Sequence, residues 1–386
     1  MTRVFLLAGE PSGDLLGGAL MRALRQLQPE IAFDGVGGPA MAKEGLQSRF
    51  DITELSVMGV TEIAPRYFHL KRRIAQTADA VLATQPDVFI GIDSPDFSLR
   101  VAKLIKARST TRVVQYVAPS VWAWRSRRAE KMAPYVDQVL ALFPFECAYM
   151  SAAGIDCDFV GHPVAVQPTA VDDEVTAFRV EQGLGDAPIL LVLPGSRQRE
   201  VNRLLTPFGN AAKLFLRDHP DVRIVIPTTK PMVDYIEPAV KQWAGSPLVL
   251  APTAALDEKF EQQKRAAFAA ASGALAASGT VSLELALAKT PMVIGYQFSW
   301  LTWQLLKRMV RLDTVTLVNL LSKTRAVPEC LGPECSGDII AKKLDAVWNQ
   351  PEAQLEAMVT AIKQLQPENQ HPSRKAASAI LNGING

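Results

Sequence analysis

Cysteine is scarce in this chain. Its 386 residues include four, Cys147, Cys157, Cys330 and Cys335, too few and too scattered for the disulfide framework of a small secreted domain. Cys330 and Cys335 lie close together but have no second pair to complete a zinc site. Free thiols in a reducing compartment are the expectation. Long apolar runs are also missing: no stretch approaches the roughly 18 residues that a membrane span needs. Residues 4–8 are apolar, but Gly9 and Glu10 cut the run short of a signal-peptide core. Neither export by that route nor a bilayer-spanning segment is expected. Net charge is small, 41 basic against 39 acidic residues for a formal +2, so the total gives no argument for nucleic acid. There is no short internal repeat, no low-complexity tract and no G-x-G-x-x-G dinucleotide fingerprint.

The chain is 48% hydrophobic and 21% charged, which suits a large core, and its length suits two domains. Short apolar runs alternate with helical patterns. Residues 4–8, 88–93, 112–117 and 138–142 read as strands, and 15–27 as a helix after a turn at 9–14. The pattern restarts with strands at 189–193, 223–226, 248–250, 273–278 and 292–294. Such alternation implies parallel, doubly wound sheets, with ligand sites at the carboxyl ends of the strands. The expected fold class is α/β, with two Rossmann-like domains facing a central cleft. The first takes residues 1–165, the second 175–345, with a hinge at 163–175. Residues 346–386 form C-terminal helices and a tail that pack on the first domain or on a dimer partner. Two such halves in series resemble a two-domain sugar-transferring enzyme. They also resemble a periplasmic sugar-binding protein, which would need an export signal.

Ser278-Gly279-Thr280, between an apolar strand and a helix, is the arrangement by which α/β proteins offer backbone N–H groups to a phosphate. Glu284, a turn into that helix, suits two neighbouring ribose hydroxyls. The plainer reading is an ordinary helix start. Pro194-Gly195-Ser196-Arg197 is a second glycine turn, and Arg197 either neutralises a leaving diphosphate or pairs with Glu200. Asp93 and Asp96, in Gly91-Ile92-Asp93-Ser94-Pro95-Asp96-Phe97, stand at a strand's carboxyl end, where a general base belongs; either can equally cap the next helix. Ser12 and Gly13, in the 9–14 turn, serve a ligand or plain turn chemistry. Trp122 and Trp124, beside Arg125, Arg127 and Arg128, make a wall for an amphipathic phosphate-bearing substrate or a packing site. His162 is more often structural than catalytic. Residues 58–74 and 299–312 mix basic and apolar side chains, as a membrane-surface segment or a core helix with a solvated basic face would.

Together these motifs resemble the lipid-A-disaccharide synthase family. The carrying stretches begin with Ala8-Gly9-Glu10-Pro11-Ser12-Gly13-Asp14, Met58-Gly59-Val60-Thr61-Glu62, the 91–97 stretch and Ser120-Val121-Trp122-Ala123-Trp124-Arg125. Val160-Gly161-His162-Pro163, Leu193-Pro194-Gly195-Ser196-Arg197, Ser278-Gly279-Thr280 with Glu284, and Val318-Asn319-Leu320-Leu321 follow in order. One departure is visible. The family usually follows its Pro-Glu with Phe-Leu-Gln, whereas here Pro328-Glu329 is followed by Cys330-Leu331-Gly332.

The resemblance implies an inverting glycosyltransferase of the GT-B type in a Gram-negative bacterium. Its donor would be UDP-2,3-diacylglucosamine and its acceptor 2,3-diacylglucosamine 1-phosphate (lipid X), giving the β-1,6-linked disaccharide 1-phosphate and UDP. It also implies work at the cytoplasmic face of the inner membrane, on an anionic surface, with no metal and no cofactor, and dimers that exchange C-terminal parts. Asp93 or Asp96 would be the base. Arg197, Ser278, Gly279 and Thr280 would hold the UDP phosphates, Glu284 the ribose, and Asn319 the nucleotide or donor. Ser12, Gly13, Trp124 and Arg125 would line the substrate site. The rivals are an N-acetylglucosaminyltransferase acting on a lipid-linked cell-wall precursor, a UDP-sugar epimerase, and a nucleotide-sugar binder without turnover.

Overall fold

Runs of four or five apolar residues become the central strands. The structure is a computed structural model that describes residues 1–55, 60–119, 127–254, 256–297, 314–367 and 370–385, with 60–66 described by backbone alone. The chain divides into two units, residues 1–166 with 365–386, and residues 167–364.

In the first unit β1 (Arg3–Ala8), β2 (Ala32–Val36), β3 (Val88–Ile92), β4 (Arg112–Tyr116), β5 (Gln138–Ala141) and β6 (Asp156–Phe159) form one parallel sheet in the order β2-β1-β3-β4-β5-β6. Helices α1 (Pro11–Leu27), α2 (Pro39–Lys43), α3 (Val60–Thr84), α4 (Pro95–Lys106), α5 (Arg127–Met132) and α6 (Glu146–Ala152) connect them. Phe5, Phe89, Ile90 and Ile92 from the strands and Leu20, Met21 and Leu24 from α1 are fully buried. Each such side chain contributes about 1.5–3 kcal/mol. Ala8 pairs with Ile92, so the turns that follow β1 and β3 are neighbours.

Two expectations need correction here. The first helix begins at Pro11 rather than residue 15, so Ser12 and Gly13 stand in its first turn. Proline suits that position because its fixed φ is helical and no N–H is needed there. Glycine suits position 13 because a Cβ would lie 3.1 Å from the Ile92 carbonyl oxygen, a tight fit. The second correction concerns sulfur. Cys147 on α6 and Cys157 in β6 are disulfide-bonded, with Cα atoms 5.2 Å apart; only Cys330 and Cys335 are free, and both are buried. The packing of α6 on β6 brings the first pair together, which linear spacing does not reveal.

In the second unit β7 (Ile189–Leu193), β8 (Arg223–Pro227), β9 (Leu248–Leu250), β10 (Gly273–Ala277), β11 (Met292–Tyr296) and β12 (Glu329–Leu331) form a parallel sheet in the order β12-β11-β10-β7-β8-β9. Its helices are α7 (Asp172–Glu181), α8 (Gln198–Asp218), α9 (Val233–Val240), α10 (Glu258–Ala270), α11 (Val281–Leu287), α12 (Leu317–Ser322), α13 (Gly337–Asn349) and α14 (Glu352–Leu365). The core stacks Leu190, Val192 and Leu275 of the sheet on Phe208, Ala211 and Phe215 of α8 and Ile340 and Leu344 of α13. The chain then returns to the first unit. The Leu365 carbonyl accepts from the His162 N–H at 3.1 Å, and α15 (Pro372–Asn385) packs on α1. Among the described residues no helix is long and apolar enough to cross a membrane.

Candidate active site

At the carboxyl edge of the first sheet, the turn after β3 holds an acid in an unusual backbone. Asp93 has φ +54° and Ser94 φ +41°, and Val117, just past β4, has φ +77°. None is glycine, and each such conformation costs about 1–3 kcal/mol. The Asp93 carboxylate accepts from the Ser12 hydroxyl at 2.9 Å on Oδ2 and from the Ser94 N–H at 2.9 Å on Oδ1. Gly13 lies beside it, where a Cβ would be in ordinary contact with the Asp93 Cβ at 3.5 Å. The turn is supported from below by Gln115, buried in β4, whose amide donates to the Asp93 carbonyl at 3.3 Å and whose Oε1 accepts from Ser98 at 2.9 Å. Sequence reasoning passed over Gln115. The signal was there: a lone amide inside the apolar run Val113-Val114-Gln115-Tyr116-Val117 has to be satisfied somewhere.

Asp96 is placed differently. It sits in the first turn of α4, 81% exposed, with Arg128 donating to its Oδ1 at 2.7 Å. Asp14 is buried and caps α2, accepting from the N–H groups of Gly38, Ala40 and Met41 at 2.7, 2.8 and 3.0 Å. His162 lies against the Phe143 ring, and its Nδ1 accepts from the Val164 N–H at 3.2 Å. Burial pushes its imidazole down to about 4, so it is neutral near pH 7 and fills a structural place.

The carboxyl edge of the second sheet is built from glycine turns and helix starts. Gly195 has φ +114°, and a Cβ there would lie 2.7 Å from Glu200 Oε2. Arg197, half exposed, stands at the start of α8 and approaches Glu200 Oε1 at 3.5 Å. Tyr296, ending β11, has its phenol pushed up by burial and then by Glu200, which puts it in the electrostatic reach of the same group. Next to β7, the turn after β10 exposes Gly279 and Thr280, with open space where a Gly279 Cβ would be. Ser278 donates to the Val315 carbonyl at 3.3 Å. Glu284, on α11, pairs through Oε2 with Lys264 Nζ of α10 at 2.8 Å.

Asn319, expected to contact the nucleotide or donor, lies buried on α12. It is 1% exposed, its amide donates to the Val327 carbonyl at 2.8 Å, and its Oδ1 accepts from the Val327 N–H at 2.9 Å. Its polar groups are committed inside the protein, where they tie α12 to the approach of β12. Glu329 does related work, accepting from the N–H groups of Val315 and Thr316 at 3.0 and 2.8 Å. Trp124 and Arg125 lie outside the described residues, as does 299–312. A cavity of about 640 Å³ opens at the opposite, amino-terminal edge of the first sheet, lined by Asp87, Arg108, Thr111 and Arg112 among others; none of the expected site residues lines it.

Two parallel six-stranded sheets with functional groups at their carboxyl edges define a class, the two-domain α/β fold called GT-B. The solved S. aureus MnaA–UDP structure matches with a TM-score of 0.67 at 14% identity, over 100% of this chain and 96% of that one. The UDP-GlcNAc 2-epimerase from Neisseria meningitidis bound to UDP-GlcNAc matches at 0.62 and 10%, over 100% of both chains. At these identities the likeness is one of fold. The family follows from sequence. The lipid-A-disaccharide synthetase family model matches residues 4–382. A lipid-A-disaccharide synthase of Ruegeria pomeroyi is 58% identical over 100% of this chain and 96% of that protein. Another, of Rhodospirillum centenum, is 43% identical over 99% and 94%. The chain belongs to the lipid-A-disaccharide synthase family, and is accordingly a glycosyltransferase of lipid A biosynthesis.

Proposed function

We propose that the protein transfers the diacylglucosamine of UDP-2,3-diacylglucosamine to the 6-hydroxyl of 2,3-diacylglucosamine 1-phosphate, releasing UDP. The observation that carries this reading is Asp93, held by Ser12 at the carboxyl end of β3. An inverting transfer is one displacement and needs one base. Asp93 takes the proton from the acceptor hydroxyl as that oxygen attacks the anomeric carbon and the bond to UDP breaks. Asp96 serves a supporting part, because Arg128 occupies it. The first unit binds the acceptor and the second the donor. Arg197 and the N–H groups at Gly279 and Thr280 hold the diphosphate as its charge grows, and Glu284 holds the ribose.

The same reading places the protein on the cytoplasmic face of the inner membrane. Phe68 is 82% exposed on α3 and packs edge-on against the exposed Tyr67. Lys71 and Arg72 are exposed beside them. Exposed aromatic and basic side chains on one helix suit an anionic lipid surface. A homodimer with exchanged C-terminal segments belongs to this reading too. Its support is that α15 reaches α1 after a short connector, a contact a second copy can supply.

Incubation of the purified protein with donor and acceptor tests the reaction. UDP and a tetra-acyl disaccharide 1-phosphate are expected in equal amounts. A new hexosamine without acceptor product would make it an epimerase, and no product at all would make it a binder.

A further inference from the structure

Glu284 is an acid in a place that otherwise favours anions. A carboxylate beside a bound diphosphate repels it, and a glutamate free to turn about its side-chain torsions holds a ribose poorly. The structure answers both problems with one residue. Lys264 reaches from α10 to α11 and places Nζ 2.8 Å from Glu284 Oε2. The two residues are distant in sequence, on different helices, and only 25% and 31% of their side-chain surfaces are exposed. The lysine is itself fixed, with its ammonium 5.5 Å from the centroid of the buried Phe268 ring one turn further along α10. Burial works against its charge, but Glu284 and then Glu261 outweigh that and raise it. Among the described residues Lys264 is the one partner of the Glu284 carboxylate. A carboxylate offers about four lone-pair sites, so Oε1 stays available for a diol.

We propose that Lys264 is a positioning residue of the nucleotide site: it aims the Glu284 carboxylate at the donor ribose and cancels its charge next to the diphosphate. This rests on Glu284 holding the ribose. The lysine does not touch the nucleotide; it acts through the acid. A helix-to-helix ion pair with no such purpose would affect stability and leave ribose recognition alone.

The ratio of affinities for UDP and 2′-deoxy-UDP, measured by calorimetry, separates these. The wild type is expected to prefer UDP about tenfold or more, the scale for one hydrogen bond to a charged group. Glu284→Gln should remove that preference. Lys264→Met should bring it close to one as well, and Lys264→Arg, which keeps the charge, should retain most of it. In the Glu284→Gln background Lys264→Met should have no further effect on the ratio, because the two act as a unit. Lys264→Gln, which keeps a polar group in the pair, serves if the methionine variant does not fold, and should also lower the preference. If Glu284→Gln loses the preference while both neutral Lys264 variants keep it, the lysine is only a helix clamp and the inference falls. If the wild type shows no preference, or Glu284→Gln keeps it, the ribose assignment itself is wrong.

Discussion

The carboxyl edges of the two sheets use opposite means to the same end. On the first sheet, Asp93, Ser94 and Val117 adopt positive φ without being glycine, and a buried amide, Gln115, supports the turn from within. On the second sheet, the residue at positive φ in the corresponding turn is Gly195, which takes it at little cost. The non-glycine residues at positive φ in that unit, Ser246, Lys289 and Lys323, lie in other turns and at helix ends. A diphosphate is held by many N–H groups and charges, any of which tolerates small shifts. A proton acceptor has one job at one atom. Under the proposed roles, strain is retained where position would decide rate, and glycine is used where a large anion would simply be admitted.

Removing the acid breaks the comparison at its strongest point. Asp93→Asn keeps shape and removes the proton acceptor, so turnover should fall by about 10²–10⁴-fold, as for a lost general base. A steady-state assay showing near-normal turnover would move the role to Asp96 or off this edge. The second edge answers differently. Arg197→Ala should weaken UDP by about 10–100-fold, the range for a hydrogen bond to a charged group, and leave uridine affinity unchanged. An equal loss for uridine, measured by calorimetry, would show that Arg197 does not serve the phosphates.

How much of this was legible beforehand depended on burial. The central strands announced themselves because both of their faces are covered, which demands continuous apolar runs such as Ile189-Leu190-Leu191-Val192-Leu193. The strands β2, β6 and β12 did not. Each is a sheet edge, and Asp34, Asp156 and Asp158, or the short Glu329-Cys330-Leu331, are tolerated there. The roles of Asp93 and Asp96 were not separable from sequence, because both acids fit a strand end and a helix start equally well. Only backbone conformation and partners distinguish them: Asp93 takes Ser12, Asp96 takes Arg128. Asn319 stood in a recognisable motif, yet its bonds to Val327 depend on a loop closure that no local pattern encodes.

The membrane reading sharpens the contrast further, since α3, one of its two candidate segments, lies in the first unit. Arg73 is unsuited to the test, because it grips Glu54 with two nitrogens at 2.7 and 2.8 Å, and its reversal would set two acids together. Lys71→Glu with Arg72→Glu, both exposed, should remove on the order of 1 kcal/mol of surface attraction each. Less of the double variant should sediment with anionic vesicles at low salt. Sedimentation equal to that of the wild type would remove α3 from the contact.

A smaller effect concerns the strain itself. Asp93→Gly and Asp93→Ala both lose the carboxylate bonds to Ser12 and Ser94, but only glycine relieves the positive φ, so the glycine variant should be the more stable of the two by about 1 kcal/mol. Its melting temperature should exceed that of the alanine variant by a few degrees. Equal melting temperatures would show that the acid's place is not strained.

The division of labour between the two edges is tested most directly by the UDP affinity of the Asp93→Asn protein, measured by calorimetry. The account predicts the wild-type dissociation constant, because the nucleotide is held on the second unit and the acid acts on the acceptor. A loss of UDP affinity comparable to the loss of turnover would contradict it, by making Asp93 part of the nucleotide site.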